Sequence, residues 1–183
     1  QFCPILSYFL PPPGLLGPCL RDRLAPLLST EFFRGGCVRY ISSRGDASAL
    51  SFEEVLLTGL ARDGGLYVPE SWPHFDAAAL RDMASLSYVE LAVHLTHPFV
   101  GKAISESAYG DLVVKSYAGF DHDPIAPLRD LGDGVHLMEL FHGPTLAFKD
   151  YALQLVGQLF NHVLENRGER ATILGATSGD TGS

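Results

Sequence analysis

The sequence predicts an α/β protein in which a mixed N-terminal module precedes the start of a parallel sheet. An apolar run of strand length (135–141), an amphipathic helix (149–166) and a second short apolar run (172–176) follow one another. Strands joined through a helix pair in parallel with a right-handed crossover, so this order favours a parallel sheet. The 183 residues are 46% hydrophobic and 19% charged, a globular balance that excludes wholesale disorder.

The charge and the apolar pattern of the chain each argue against one class of partner. Thirteen Lys and Arg stand against 21 Asp and Glu, for a net charge of −8. Neutralising phosphates requires a basic surface, so we expect no nucleic-acid partner. Since no run of about 18 apolar residues occurs, we expect no membrane-spanning helix and no membrane partner.

Residues 1–37 differ in composition from the rest and form an anomalous leader. They are rich in proline and hold the three cysteines, Cys3, Cys19 and Cys37, whose spacing matches no zinc pattern. We interpret the leader as in-frame upstream sequence with the true start at Val38, an organellar presequence being the alternative. A cysteine-free remainder fits a reducing compartment, so we expect a cytoplasmic protein.

The elements of the next segment, 38–120, follow from local signals. A short strand covers 38–42, and Ser51 is a typical N-cap for a helix that continues through Val55, Leu56, Gly59 and Leu60. A turn at 63–65 leads into an extended stretch, and two helices are expected at 88–96 and 105–118. The Pro-, Asp- and Gly-rich stretch 121–133 opens the third segment, 121–183.

Lys149 is the first candidate for chemistry. It lies after a strand and a turn, at the start of an amphipathic helix that ends near Gly168. The positive end of the helix dipole disfavours an ammonium there and favours the neutral amine, which Schiff-base chemistry requires. A solvated lysine paired with Asp150 or Glu139 is the alternative, and spacing leaves both open.

The second candidate is the loop 177–183, TSGDTGS. Hydroxyls and glycines between a strand and a helix can present several backbone N–H groups to one point, which makes an anion site. The loop lacks the lysine of a P-loop and is not a GxGxxG fingerprint. An ordinary helix cap with Asp180 in the first turn is the alternative.

The histidines and serines add little evidence for a metal site or a further catalytic site. His142, beside Gly143 and Pro144, could bind an anion or move a proton, but a structural hydrogen bond in the turn is the simpler interpretation. The other histidines lack ligand spacing and no HExxH or GxSxG motif occurs, so we expect neither a metal site nor a serine-hydrolase elbow.

Two segments, 139–150 (ELFHGPTLAFKD) and 176–182 (ATSGDTG), closely resemble the threonine synthase family. Two earlier segments agree with that family's N-terminal module, namely 40–45 (YISSRG) and 63–69 (DGGLYVP). The resemblance extends over about 38–183 and leaves out the leader.

The resemblance implies a fold-type II enzyme, similar to the tryptophan synthase β fold, that uses pyridoxal phosphate. Such a carbon–oxygen lyase converts the small molecule O-phospho-L-homoserine and water to L-threonine and phosphate. On this resemblance Lys149 is the catalytic residue and holds the cofactor as a Schiff base, and Phe148 packs near the cofactor ring. The substrate carboxylate is then held by a loop, also beside the ring, that comprises Ser178, Gly179, Asp180 and Thr181.

Two other interpretations stay open. A threonine synthase-like phospho-lyase or a dehydratase relative of the same fold would release 2-oxobutyrate instead of threonine. A non-catalytic fragment would fail to bind pyridoxal phosphate. Because the family's glycine-rich cofactor-phosphate loop is absent from the sequence, we expect the 183-residue polypeptide alone to be inactive and poorly folded.

Overall fold

The computed structural model describes residues 38–177 and 179, and these form a mixed α/β structure. Along this part of the chain the strands are β1 (Arg39–Ser42), β2 (Leu50–Ser51), β3 (Tyr67–Pro69), β4 (Leu128–Gly132) and β5 (Val135–Met138); the helices are α1 (Phe52–Thr58), α2 (Ala77–Met83), α3 (Tyr88–Val100), α4 (Glu106–Tyr117) and α5 (Asp150–Arg167), with a short 3-10 turn at Gly101–Ala103.

The first sheet is a small antiparallel one in the order β2-β1-β3. Its central strand alternates exposed and buried side chains, as a strand with one covered face does. Tyr40 faces inward from β1 and its hydroxyl donates to the Phe99 carbonyl oxygen at 2.5 Å. This bond ties the sheet to the C-terminal end of α3.

Three helices begin after a serine N-cap. Ser51 and Ser87 each form a capping box, in which the glutamate three residues later closes back on the cap. The Ser105 hydroxyl accepts from the Ala108 N–H, 3.3 Å away, and starts α4. The predicted helices after Ser51 and at 105–118 are confirmed, since the signals that start them are local.

Two predicted helix ends were wrong. The helix after Ser51 stops at Thr58, because Gly59 takes a φ of +72° and leaves the helical region. Leu60 instead pairs across a bridge with Leu66. The helix expected over 88–96 runs on to Val100 with Pro98 inside it, and ends where Gly101 takes a φ of +61°.

The helical core joins the two halves of the described chain. Side chains from α3, α4 and α5 bury one another, and Val93, Val113 and Leu159 lie at its centre. The Tyr117 hydroxyl at the end of α4 donates to the Tyr151 carbonyl oxygen in the first turn of α5, at 2.9 Å. Apolar burial therefore fixes α5 on the helices that precede it.

α5 closely matches its prediction. It begins one residue after Lys149 and ends at Gly168, which takes the left-handed conformation and donates its N–H to the Glu165 and Leu164 carbonyl oxygens. This is the glycine cap expected from the sequence. Among residues 38–177 no helix combines the length and apolarity needed to cross a membrane.

The predicted parallel pairing is absent from the described strands. The run expected at 135–141 forms β5, which pairs antiparallel with β4, because Asp133 and Gly134 take positive φ angles and reverse the chain. The run 172–176 pairs with no strand among residues 38–177, and Ile173 and Leu174 are 82% and 96% exposed. A strand is stabilised by its neighbour, and the described residues place none beside this run.

The Ser87 cap should contribute measurably to stability. We expect Ser87→Ala to lower the free energy of unfolding by about 1 kcal/mol, because the Glu90 N–H loses its acceptor. Urea unfolding followed by circular dichroism measures the loss. Ser107→Ala, at an exposed position inside α4, is the matched control and should change stability by less than about 0.5 kcal/mol. Equal effects of the two substitutions would contradict a role for the cap.

Candidate functional site around the start of α5

Two tight turns lead the chain into α5. The Leu146 N–H donates to the Gly143 carbonyl oxygen at 3.0 Å, and the Asp150 N–H donates to the Ala147 carbonyl oxygen at 3.0 Å. Leu146 takes a φ of +61°, a conformation that costs energy for a residue with a side chain. Lys149 follows these turns with helical angles and immediately precedes the first residue of α5.

The structure brings together two of the residues predicted for the site. Lys149 is half-buried, and its Nζ atom lies 5.6 Å from the centroid of the Phe148 ring, a cation–π distance. The Phe148 side chain is 61% exposed. An amine beside an uncovered aromatic face therefore lies at the entrance to α5.

Asp150, next to Lys149, is buried and bonded to the preceding turn. One carboxylate oxygen accepts from the Thr145 N–H at 2.8 Å, and the other accepts from the Thr145 hydroxyl at 3.0 Å. Only 3% of Asp150 is exposed. Asp150 was expected only as a possible partner of Lys149, and its bonds to Thr145 were not predicted; a Thr five residues before an Asp at a helix start was the available signal.

Glu139 and His142 form a second polar pair at the same turn. Their Oε2 and Nε2 atoms lie 3.0 Å apart, and Arg129 Nε lies 3.1 Å from Glu139 Oε1. The His142 hydrogen bond, followed by the charge of Arg129, holds the pKa of the Glu139 carboxyl below its usual value. The His122 ring stacks on His142 with centroids 4.1 Å apart. His142 thus makes the structural hydrogen bond expected of a turn histidine.

A hydrogen bond and aromatic packing at Tyr151 anchor the first turn of α5. The Tyr151 hydroxyl donates to the Ile125 carbonyl oxygen at 2.5 Å. Its ring meets those of Phe120 and Tyr88 edge-on, at centroid distances of 4.9 and 6.4 Å. Burial raises the pKa of Tyr151 to about 12, so the phenol stays protonated and keeps this bond.

The predicted substrate loop is described at a single position. Gly179 takes a φ of +130°, open mainly to glycine, and donates its N–H to the Thr177 hydroxyl at 3.2 Å. Ser178, Asp180 and Thr181 lie outside the described residues. Residues 169–177 are exposed throughout, so a meeting of this loop with Lys149 stays a prediction.

Comparison with known proteins gives consistent matches. Residues 39–117 match the family model described as threonine synthase N terminus. The chain is 55% identical over 146 residues to a threonine synthase of Pseudomonas aeruginosa, covering 80% of this chain and 31% of that enzyme. It is also 39% identical over 147 residues to threonine synthase-like 2 of Xenopus laevis, with the same two coverages.

A solved structure agrees with these matches. The pyridoxal-phosphate-bound threonine synthase of Brucella melitensis superposes with a TM-score of 0.77 at 49% identity, over 79% of this chain and 31% of that one. The described residues therefore have the fold of the N-terminal part of such enzymes. The chain spans just under a third of the length of the curated relatives it matches.

The Glu139–His142 pair should make stability depend on pH in one direction. Because the folded-state pKa of Glu139 lies below its ordinary 4.5, the pair stabilises the fold above that value and loses the contribution as pH falls through the lowered one. We expect Glu139→Gln to be less stable than the parent at neutral pH and equal to it in acid. Urea unfolding of both proteins, from neutral to acid pH, measures the difference in their free energies of unfolding.

Arg129→Gln is the control for the unfolding measurements on Glu139→Gln. The Arg129 side chain is 71% exposed, so solvent screens its ion pair and its removal should matter less than removal of Glu139. A stability difference between parent and Glu139→Gln that stays constant with pH would contradict the assignment.

Proposed function

Because this chain belongs to the threonine synthase family, whose N-terminal part it matches, we propose that it forms the front of an enzyme converting O-phospho-L-homoserine and water to L-threonine and phosphate. The observation that carries the proposal is the 55% identity to the Pseudomonas enzyme in a chain that sets an amine at the start of α5. The absence of cysteine after Cys37 supports a reducing, cytoplasmic compartment.

The described residues at this site fit pyridoxal phosphate as the cofactor. Covalent attachment of the cofactor through its aldehyde requires a primary amine, and Lys149 provides one in a half-buried position. A flat aromatic ring requires an apolar wall, and the exposed face of Phe148 lies beside that amine. When bound, pyridoxal phosphate supplies the electron sink for bonds to the substrate's α-carbon.

The chain's own residues have separate parts in the mechanism we propose. Lys149 holds the cofactor and, through Nζ, moves protons at the carbons of the substrate. Phe148 orients the ring and keeps water from that side. The loop that comprises Ser178, Gly179, Asp180 and Thr181 binds the substrate carboxylate in this proposal, and Asp180 also lies beside the cofactor.

A second function of the same fold is favoured by one match. The chain is 39% identical to threonine synthase-like 2 of Xenopus laevis. The alternative we propose is a phospho-lyase of the same fold, which would release 2-oxobutyrate in place of threonine. Incubation with O-phospho-L-homoserine followed by chromatographic separation of the two products distinguishes them. Threonine and phosphate in equal amounts support the first function, and 2-oxobutyrate supports the second.

Lys149 is the residue on which activity should depend most. In a fusion of residues 38–183 to the remainder of the Pseudomonas enzyme, we expect Lys149→Arg to lower threonine formation by two to four orders of magnitude, roughly the contribution of a positioned acid–base group. Arginine keeps the positive charge but has no amine that condenses with an aldehyde.

The other two lysines of the chain are the matched controls. Lys102→Arg and Lys115→Arg make the same chemical change in the 3-10 turn and in α4, and should leave the rate unchanged. A fusion that keeps its rate after Lys149→Arg would refute the role of Lys149. A parent fusion that forms neither product would refute the proposed function itself.

A further inference from the structure

We propose that Asp150 is a positioning residue for Lys149, acting as a clamp that holds the turn 143–145 against the first turn of α5. This inference rests on the proposed function, because it concerns how the amine of Lys149 is held in place. It adds a role for a residue that touches neither cofactor nor substrate in the mechanism above.

Both oxygens of the Asp150 carboxylate are committed to one residue of the turn. They accept from the N–H and the hydroxyl of Thr145 at 2.8 and 3.0 Å. With only 3% of the residue exposed, water does not compete for these bonds. The carboxylate also lies in the first turn of an 18-residue helix, where the helix dipole favours a negative charge.

At Gly143 the backbone of the turn lies closer to Asp150 than a residue with a side chain would allow. A Cβ atom added to Gly143 would lie 2.5 Å from both Cβ and Oδ2 of Asp150. Gly143 is itself buried, so neither group has room to move aside. The absence of a side chain at position 143 is therefore what lets the carboxylate reach Thr145.

The clamp closes a loop whose last residue before the helix is Lys149. Thr145 lies four residues before Lys149 and Asp150 one residue after it, so the two clamp bonds enclose the turn that carries the amine. On the other side, Tyr151 is anchored to Ile125 and Tyr117. The backbone of Lys149 is thus fixed from both directions.

Asp150 acts through the backbone in this arrangement. Adjacent residues on a helix project in different directions, so a carboxylate at 150 and an amine at 149 are not built to face each other. The strained φ of Leu146, +61°, lies inside the clamped loop. Release of the clamp would let that residue relax and would change the direction in which Lys149 leaves the backbone.

The first test measures the clamp in the fusion described above, by amide hydrogen exchange with mass spectrometry. We expect Asp150→Asn to speed exchange in the peptide spanning 143–151 by about tenfold, since a hydrogen bond to a charged group is worth a decade or more in an equilibrium constant. Asp76→Ala removes a carboxylate that caps α2 and should leave this peptide unchanged.

Two substitutions at Thr145 test the same bonds more gently. Thr145→Val keeps the shape and the N–H but loses the hydroxyl, so exchange should rise; Thr145→Ser keeps both donors and should restore the parent's protection. Absence of protection at 143–151 in the parent, or equal exchange in parent and Asp150→Asn, would overturn the clamp.

The second test measures the consequence for Lys149 in the fusion used above. We expect Asp150→Asn to lower kcat about tenfold with KM changed less than about twofold, because the loss falls on orientation and not on substrate binding. The visible circular dichroism of bound pyridoxal phosphate should weaken in parallel, and Asp76→Ala should alter neither quantity.

The two tests separate the two claims. If the parent fusion forms no threonine, the proposed function fails while the exchange experiment still decides whether the clamp exists. If Asp150→Asn and Thr145→Val keep the parent's kcat and visible circular dichroism, the positioning role fails while the proposed function stands.

Discussion

The packing of α5 against α4 is the interaction on which the rest of this structure depends. Leu159 and Val163 of α5 are almost fully buried, and Leu159 shares a core with Val113 and Tyr117 of α4. The buried side chains hold α5, whose first turn carries the candidate site, against a module made of a different part of the chain. The position of Lys149 is thus set by apolar burial some distance from its amine, and the polar contacts at the turn refine that position.

The residues around this turn fall into two groups: some make polar contacts within the protein, and others are exposed to solvent. Asp150 is bonded to Thr145, and Glu139 is bonded to His142 and Arg129. Phe148, next to Lys149, has most of its surface uncovered. The turn therefore joins carboxylates that are bonded to protein groups to an open apolar side chain, an arrangement that can fix an amine and still let a ligand reach it.

The features that the sequence predicted are those whose causes lie within a few residues. The cap at Ser51, the glycine stop at Gly168 and the start of α5 within one residue of Lys149 depend on neighbours in the chain, and all three agree with the predictions. The antiparallel pairing of β5 was missed because it depends on how far the turn at Asp133 and Gly134 reverses the chain. The bonds of Asp150 were missed because they require the close approach of Gly143, which has no Cβ, and a Thr five residues before an Asp does not by itself reveal that approach.

The segment 171–177 has a consequence for how copies of this chain behave toward one another. It is exposed, it belongs to no helix or strand, it contains β-branched and apolar residues, and it pairs with no strand among residues 38–177. A backbone of this kind is a template onto which another extended chain can add, and the apolar side chains of Ile173 and Leu174 reward that addition. Arg170 and Glu169 precede the segment and act as charged gatekeepers at that end. Exposed and unpaired, the segment is the part of the described chain where we expect one copy to associate with another at high concentration.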